Sequence, residues 1–193
     1  MKAWGNNITT HSQEIISKPV SFWTYLGLIL ISPAKGFAKL MQDARRLRLG
    51  IQAVLFVAIG YTVALILIAS SPGRISKMAA WVAISLERYF FWEVFFIGAV
   101  TFGCWLLASG VVYLLSRIVG GQGTFDDTLA ALGFAVAIPT TFAFLHDCIT
   151  GFMTTTGIMS AAAWERSIST PGIGMVLFWA YMLIYLVGLV VFF

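Results

Sequence analysis

Residues 50–70 read GIQAVLFVAIGYTVALILIAS, an apolar run of 21 residues without a charged side chain. A helix rises about 1.5 Å per residue, so this run is long enough to cross a hydrocarbon core about 30 Å thick. Three more apolar runs follow along the chain, at about 89–116, 128–147 and 172–193. Together the four runs predict an all-α membrane protein.

The composition of the whole chain agrees with this class. Of its 193 residues, 60% are hydrophobic and only 10% are charged, whereas soluble domains carry about 25% charged residues. A soluble fold of this size has too little interior to bury so much apolar surface. We therefore expect a single integral membrane helical bundle with four clear transmembrane helices.

The stretch 148–164, CITGFMTTTGIMSAAAW, leaves the number of spans open. It is moderately apolar but rich in threonine and glycine. Its residues can form an outer loop or interfacial helix, can prolong the third span, or can make a fifth span. The sequence does not choose between these alternatives.

The chain before the first long run divides into two parts. Residues 1–20 are polar, and residues 21–49 join a short apolar piece to a basic amphipathic segment. The apolar piece, SFWTYLGLILIS at 21–32, is too short to cross a bilayer, so we expect a shallow or re-entrant element there. Residues 50–193 then form the transmembrane bundle.

The segment at 32–48, SPAKGFAKLMQDARRLR, predicts an amphipathic helix. Ser32 can cap its start, and Pro33 suits the first turn, where no amide hydrogen is needed. We expect the apolar face to lie in the acyl boundary while the basic face binds anionic lipid headgroups. The alternative is an ordinary amphipathic helix packed on the protein's own spans. The basic residues are Lys35, Lys39, Arg45, Arg46 and Arg48.

The distribution of lysine and arginine predicts the orientation. Seven of the 12 basic residues precede the first span, three lie in the next loop and one in each of the last two. With four spans and a cytoplasmic N-terminus, eight positive charges fall inside and four outside. Positive charge accumulates on the cytoplasmic side of membrane proteins. We therefore expect the N-terminus in the cytoplasm.

The loop that precedes the third span, GGQGTFDDTLAALGFAVAIP at 120–139, is the most patterned part of the chain. Gly120, Gly121 and Gly123 predict a tight turn, because glycine adopts backbone conformations closed to other residues. Thr124 can cap the next helix, with two aspartates in its first turn. A phosphate-binding loop is excluded, because the Gly-Lys-Ser/Thr ending is absent.

Pro139 interrupts the third span and leaves the carbonyl group of Ala135 without its usual donor. The two threonines that follow can help to satisfy the freed backbone, and a kink is expected. Small residues recur nearby at four-residue spacing, and Ala99 and Gly103 do the same in the second span. Such spacing lets helices approach closely, so we expect the second and third spans to pack on each other.

The pattern at 120–139 resembles the signature of the Yip1 family: Gly-Gly-x-Gly, a short polar helix start, a Gly-aromatic-Ala step and a proline. The upstream LILISPAKGFAKLM is similar to the amphipathic lead-in of that family. The resemblance implies a polytopic membrane protein with a cytosolic N-terminus and usually five spans. Eukaryotic members are associated with Rab-type GTPases and vesicle traffic. The family has no established catalytic residues, and this chain looks like a bacterial-type member.

His146 and Asp147 lie side by side at the end of the third apolar run, in FLHDCITGF. Counted from Leu129 they are about 26 Å along the helix axis, near the outer interface, where water reaches them. We therefore expect them to mark the end of the span rather than a proton relay. Glu93, about 6 Å below the start of the second span, can join them in an outer polar cluster. That cluster is the candidate site.

The remaining residues point to no chemistry. Cys104 and Cys148 belong to no Cys-x-x-Cys or Cys/His spacing, so neither a metal site nor a disulfide framework is expected. No nucleophile–base pair is present either, so we expect no enzyme and no cofactor.

Three functions remain. The favoured one is a non-enzymatic protein that organises or shapes membrane, or that tethers or stabilises partners. The others are a small transporter or channel component and an accessory subunit of a larger complex. The expected partners are anionic lipids at the cytoplasmic face, with further protein partners or a homo-oligomer and no nucleic acid. The expected location is a bacterial inner membrane.

Overall fold

The structure, a computed structural model, describes residues 20–73 and 84–192. The polar segment predicted at 1–20 therefore lies, apart from Val20, outside the described residues. All regular secondary structure in the described ranges is helical. The helices are α1 (Phe22–Ile31), α2 (Pro33–Gln42), α3 (Arg46–Ala69), α4 (Tyr89–Ile118), α5 (Phe125–Thr155), α6 (Ala161–Ser169) and α7 (Ile173–Phe192).

Three of these helices, α3, α4 and α5, are long and apolar enough to cross a membrane. The helices α6 and α7 meet at a bend of 78° and together add a fourth candidate span. The short apolar helix α1 precedes them, where the sequence predicted a piece too short to cross. The prediction of an all-helical membrane bundle is confirmed.

The two helices at the centre of the bundle, α3 and α5, run parallel to each other. At one end the Arg46 guanidinium pairs with the Asp127 carboxylate. At the other end the hydroxyl oxygens of Ser71 and Thr154 lie 2.6 Å apart. Because both helices begin near the first contact and end near the second, they point the same way.

Glycines allow the close approach of α3 and α5. A Cβ atom added to Gly50 would lie 2.7 Å from the Cα atom of Ala130, and one added to Gly133 would lie 2.7 Å from the Gly50 carbonyl oxygen. A Cβ atom on Gly103 of α4 would meet nothing within 4 Å. The helices α4 and α5 are in contact, but the tight small-residue packing is between the first and third spans, not between the second and third.

Helix α4 lies against α3 and α5 but buries few of its own residues. Only Trp105 and Ser109 are buried within it. The indole Nε1 atom of Trp105 donates a hydrogen bond of 3.1 Å to the carbonyl oxygen of Leu129 in α5. This bond is a polar tie between α4 and the central pair, and most of the remaining surface of α4 faces outward.

The short helices α1 and α2 pack on each other and on the start of the central pair. Ile29 of α1 and Leu40 of α2 are both fully buried. A Cβ atom on Gly36 would lie 2.5 Å from Cγ1 of Ile29, so these two helices are in close contact. Their buried side chains belong to one apolar cluster: Tyr25, Ile29, Leu40, Leu49, Ala53, Val57, Phe134, Ala137 and Ile138.

The amphipathic helix predicted at 32–48 is interrupted. Helix α2 ends at Gln42, and Arg46 already belongs to α3. Between them the Asp43 carboxylate accepts a hydrogen bond of 2.8 Å from the backbone N–H of Arg45. Such a side-chain turn competes with helical hydrogen bonding, which explains the break.

The expected position of the apolar face of α2 is also wrong. Leu40 is 0% exposed, and Phe37 and Met41 pack against the same apolar cluster. This face therefore meets the protein's own helices rather than acyl chains, which was the alternative interpretation. The basic side chains of α2 remain on its outer side.

Helix α5 is longer than the predicted third span and continues to Thr155. The first part of the stretch 148–164 thus prolongs this span. His146 and Asp147 do not mark the end of the helix, because two further turns follow them. Threonine does not break the helix here: the hydroxyl groups of Thr150 and Thr154 donate to the carbonyl groups four residues earlier, each at 2.9 Å.

The turn before α5 has the geometry expected from its glycines. Gly120 has a φ of +87°, and the N–H of Gly121 donates to the Ser116 carbonyl oxygen at 2.7 Å, which together close the end of α4. Gly123 has no such constraint, since an added Cβ atom would reach only Asp127, at 3.9 Å. Thr124 and Asp127 cap each other's backbone N–H groups and start α5.

Pro139 lies inside a continuous α5. The hydroxyl group of Thr140 donates to the Val136 carbonyl oxygen at 2.5 Å, and that of Thr141 to the Ala137 carbonyl oxygen at 2.6 Å. Neither hydroxyl reaches the carbonyl of Ala135, so the expected compensation does not occur at that atom. The two threonines instead reinforce the next two carbonyls of the helix.

Candidate functional site

The basic end of the bundle is organised by Asp43, which joins α1, α2 and the start of α3. Its carboxylate accepts a hydrogen bond of 3.0 Å from the Tyr25 hydroxyl and one of 2.9 Å from Nη2 of Arg45. The same Nη2 atom donates to the carbonyl oxygen of Val20 at 3.1 Å. These bonds fix the short helices to the first span.

The electrostatics of this contact favour a charged Asp43. The hydrogen bond from the Arg45 guanidinium lowers the pKa of Asp43 to about 2, against the opposing effect of burial. Burial, and then the hydrogen bond to the Asp43 carboxylate, raises the pKa of Tyr25 to about 12. Asp43 is therefore an anion and Tyr25 a neutral donor throughout the physiological range.

Of the five basic residues predicted to bind lipid, two are engaged inside the protein. Arg45 pairs with Asp43, and Arg46 pairs with Asp127. The other three, Lys35, Lys39 and Arg48, are exposed. Only these three present their charges outward without an ion pair among the described residues.

Helix α1 turns an apolar surface away from the bundle. Trp23 is 63% exposed and Ile31 is 84% exposed. The ring of Trp23 packs edge-on against Phe56 at 5.4 Å between centroids. Since Phe56 is ten residues beyond the start of α3, this contact lies about 15 Å along that helix. The contact therefore holds α1 alongside the first span.

The second candidate site is the polar cluster near the other end of the spans. Nδ1 of His146 lies 3.1 Å from Oδ1 of Asp147, so neighbouring residues do meet despite their different directions on the helix. The His146 ring stacks on the ring of Tyr181 at 4.2 Å and 8°. It also approaches Trp164 of α6 at 5.6 Å. The cluster thus joins α5 to both α6 and α7.

Glu93 of α4 faces the same region but does not form a hydrogen bond with His146. It lies within electrostatic range of Asp147. Tyr61 of α3 lies within electrostatic range of both Glu93 and Asp147, and of Tyr181 and Tyr185. The three predicted residues are therefore brought to one region, which α3, α4, α5 and α7 all border.

The aromatic members of this cluster were not predicted from the sequence. Tyr61, Trp164, Tyr181 and Tyr185 stand in apolar runs that contain many aromatic residues, so composition does not distinguish them. The four-residue spacing of Tyr181 and Tyr185, which places them on one face of α7, was the available signal. It indicates a shared face but not its neighbour.

A metal centre finds no support in the part of the chain that the structure describes. No group of three or more histidine, cysteine, aspartate or glutamate residues there is arranged to hold a metal ion. Cys104 and Cys148 are both free thiols, the former exposed. The chemistry of the cluster is that of hydrogen bonds, aromatic faces and charge.

Comparison with known proteins identifies the family. No curated protein and no solved structure matches the chain. A family model for the Yip1 domain, a family that is not one of enzymes in general, matches residues 26–193. That range runs from within α1 to the last residue and includes Asp43, Arg45 and the whole polar cluster around His146. The chain therefore belongs to the Yip1 family of membrane proteins.

Proposed function

We propose that this chain is a non-enzymatic protein that organises and bends the membrane leaflet that holds α1 and α2. The observation that carries the proposal is the fixed pair of short helices at one end of the bundle. Its outer surface combines apolar side chains on α1 with exposed lysines on α2. Such a surface suits the boundary between acyl chains and anionic headgroups.

Among residues 20–73 and 84–192, the two ends of the bundle differ in how much short helix they add to the long helices α3, α4, α5 and α7. Helices α1 and α2 contribute ten residues each at the basic end, and α6 contributes nine at the other. Extra helix in one leaflet enlarges that leaflet relative to the other. The basic end, which we assign to the cytoplasmic side of a bacterial inner membrane from its excess of positive charge, is the one that expands.

Rigid attachment supports this function over simple anchoring. The Asp43–Arg45–Tyr25 contact and the buried Ile29 and Leu40 hold the short helices against α3 and α5. A freely hinged helix can retract from the bilayer, whereas this one keeps its depth. The volume that α1 and α2 add to the leaflet therefore stays with the protein as it moves in the membrane.

The test uses the full chain reconstituted into vesicles of mixed diameter that contain phosphatidylglycerol. The expected result is enrichment of the protein on the smaller vesicles. Lys35→Gln with Lys39→Gln removes two headgroup contacts worth about 1 kcal/mol each, and Ile31→Asn weakens the apolar contact. We expect all of these substitutions to reduce the enrichment.

The matched control is Arg88→Gln with Arg166→Gln, which removes two exposed charges at the other end. This control is expected to keep the preference for small vesicles. Equal partition of the unaltered protein over all diameters would remove the proposal. Co-purification of a stoichiometric protein partner that covers α4 would instead favour an accessory subunit.

Transport is a second candidate function, favoured by the polar cluster around Glu93, His146 and Asp147. Ionisable groups within membrane spans are rare and commonly belong to ion or proton pathways. The measurement is proton or cation flux into sealed proteoliposomes. Flux above that of protein-free vesicles, lost in Glu93→Gln, would support transport. The absence of such flux leaves the membrane-organising function.

A further inference from the structure

We propose that the polar cluster around Glu93, His146 and Asp147 binds an organic cation with a primary ammonium group. Such a group occurs in the headgroup of phosphatidylethanolamine and in soluble alkylamines. The inference does not rest on the membrane-organising function, because it concerns the opposite end of the bundle. It names a ligand for the cluster whether or not that ligand is transported.

The cluster lies between helices that are joined through the central pair. Helix α4 packs on α3 and α5, whereas α7 packs on α5 and α6. Glu93 of α4, Asp147 of α5 and Tyr181 of α7 are all partly exposed. All three lie within electrostatic range of Tyr61 in α3. Their side chains are therefore grouped in one place without being packed shut, so a small group that enters from the side can reach them.

The depth of the cluster suits a lipid headgroup or a short amphiphile. Glu93 is four residues from the start of α4, and His146 is nine residues from the end of α5. At about 1.5 Å per residue, these positions lie about 6 Å and about 14 Å from the helix ends. The headgroup region is about 5–8 Å thick on each side of a bilayer. With the helix ends at the membrane surface, the cluster spans the boundary between headgroups and acyl chains.

The charges of the cluster favour a cation. Glu93 forms no hydrogen bond and no ion pair within residues 20–73 and 84–192, and over the same ranges the ion-pair partner of Asp147 is His146. The two carboxyl groups lie within electrostatic range of each other. Neighbouring carboxylates repel, and a cation between them removes that repulsion. Even beside a charged imidazole ring, two carboxylates leave an excess of negative charge.

A nitrogen atom of His146 indicates that the ligand carries hydrogen-bond donors. Nδ1 lies 3.1 Å from Oδ1 of Asp147, and because a carboxylate only accepts, Nδ1 carries the shared hydrogen. Nε2 is buried and has no hydrogen-bond partner in the described part of the chain. In a neutral ring this atom is an acceptor, as the carboxylate oxygens are. A primary ammonium group brings three N–H donors, whereas a quaternary ammonium group brings none.

Aromatic rings surround the same imidazole. The ring of Tyr181 stacks on that of His146 at 4.2 Å, and Trp164 lies 5.6 Å from it. Aromatic faces attract cations, and cages of aromatic side chains bind ammonium ligands. A metal ion is a poorer match, because no group of three metal-binding side chains is present among the described residues. Carboxylates combined with aromatic faces are the chemistry of an ammonium site.

The first measurement asks whether a lipid supplies the ammonium group. The full chain is reconstituted with equal amounts of phosphatidylethanolamine and phosphatidylglycerol that carry the same acyl chains. It is then extracted in a sugar-based detergent and analysed by native mass spectrometry. We expect phosphatidylethanolamine to stay bound in preference to phosphatidylglycerol. Since the acyl chains are identical, the difference reports on the headgroup.

The second measurement asks whether the site accepts the ammonium group from solution, and its probe is hexylammonium. The delipidated full chain is unfolded by heat at increasing concentrations of hexylammonium or of hexanol. A ligand that binds the folded protein raises the unfolding temperature. We expect such a rise with hexylammonium and none with hexanol, which has the same carbon chain but no charge. Retention of phosphatidylethanolamine together with this rise assigns the lipid as the source, and the rise alone assigns a soluble amine.

Glu93→Gln removes a charge with little change in shape. The variant should fold, because Glu93 has no hydrogen-bond partner to lose among the described residues. We expect it to weaken hexylammonium binding about tenfold or more, the effect of losing a hydrogen bond to a charged group. The matched control is Glu87→Gln, since Glu87 is exposed and lies just before α4 at the same end of the bundle. This control should bind hexylammonium as the unaltered protein does.

Tyr181 tests the aromatic part of the site. Tyr181→Phe keeps the ring face and should retain binding, whereas Tyr181→Leu should weaken binding several-fold. Undiminished binding in Glu93→Gln would overturn the proposal. So would equal retention of the two lipids combined with equal effects of hexylammonium and hexanol. None of these results depends on vesicle diameter, so the membrane-organising function is tested separately.

Discussion

Single glycines set the distance between the two central helices. Each of the positions Gly50 and Gly133 lies against the backbone of the partner helix, where a methyl group has no room. Backbone atoms cannot rotate away as a flexible side chain does. Substitution there must therefore separate α3 from α5.

We predict that Gly133→Ala destabilises the protein by about 1–3 kcal/mol, the usual cost of forcing extra volume into a packed interior. Gly103→Ala is the control, because a Cβ atom there meets nothing within 4 Å. Alanine is about 1 kcal/mol better than glycine in a helix, so the control should be neutral or stabilising. Unfolding in mild detergent measures both. Equal stability of the two variants would contradict the assigned packing.

Asp43 gives the basic end a defined acid sensitivity. Its pKa falls from 3.8 to about 2 when it accepts the Arg45 hydrogen bonds. A carboxylate with a depressed pKa stabilises the folded state above its ordinary pKa, and the stabilisation is lost as the pH falls through the depressed value. The relevant window runs from about pH 4 down to about pH 2.

We predict that the attachment of α1 and α2 weakens as the pH falls through this window. Hydrogen exchange of the α1 amides, normalised at each pH to a fully exposed peptide, measures the attachment. Asp43→Asn cannot lose a charge, so its normalised exchange should not change over the same window. Acid sensitivity that persists in Asp43→Asn would assign the effect to another group.

At the scale of whole helices, α4 is the element with the least burial among the three long spans. Its tie to α5 is the bond from the Trp105 indole to the Leu129 carbonyl. We predict that Trp105→Phe weakens the α4–α5 contact by about 1 kcal/mol, the usual value of one hydrogen bond. Trp92→Phe makes the same change on an exposed face and should have no effect. Cross-linking between α4 and α5 compares the two variants, and equal yields would show that the bond contributes nothing.

The helices themselves were largely predictable from the sequence, because an apolar run long enough to cross a bilayer must satisfy its backbone hydrogen bonds internally, as a helix does. The turn at Gly120 and the cap at Thr124 were predictable too, since both depend on neighbouring residues alone. The helix that packs on α3 was not predictable. Small residues occur in α3, α4 and α5 alike, and their spacing shows which face of a helix allows close approach but not which other helix packs there.

The break at Asp43 was missed, and the length of α5 was left open, for a local reason. Both depend on polar side chains that bond to the nearby backbone. Asp43 uses this bond to end a helix, and the threonines of α5 use it inside one. The same kind of hydrogen bond, from a side chain to the nearby backbone, thus ends a helix in one place and supports a helix in the other. Residue type alone does not show which of the two will occur. The aromatic partners of His146 come from α6 and α7, so only the tertiary fold brings them together.

At the scale of the whole molecule, the connections between spans should lie alternately on the two sides of the membrane. We predict that Ser85→Cys, before α4, is labelled by an impermeant thiol reagent in intact cells. Gln122→Cys, between α4 and α5, should be labelled only after permeabilisation. Both positions are exposed, and both variants require the Cys104→Ala and Cys148→Ala background. The reverse pattern would invert the topology that the positive charges predict.

The parallel arrangement of α3 and α5 has a consequence for biosynthesis. Ribosomes deliver a chain from its N-terminus, so α3 and α4 enter the bilayer before α5 has been translated. The face of α3 around Gly50 is then in contact with lipid or α4 until α5 has been inserted. The newly made protein must pass through this two-helix stage, after which α5 inserts beside α3 and α4, and α6 and α7 follow it.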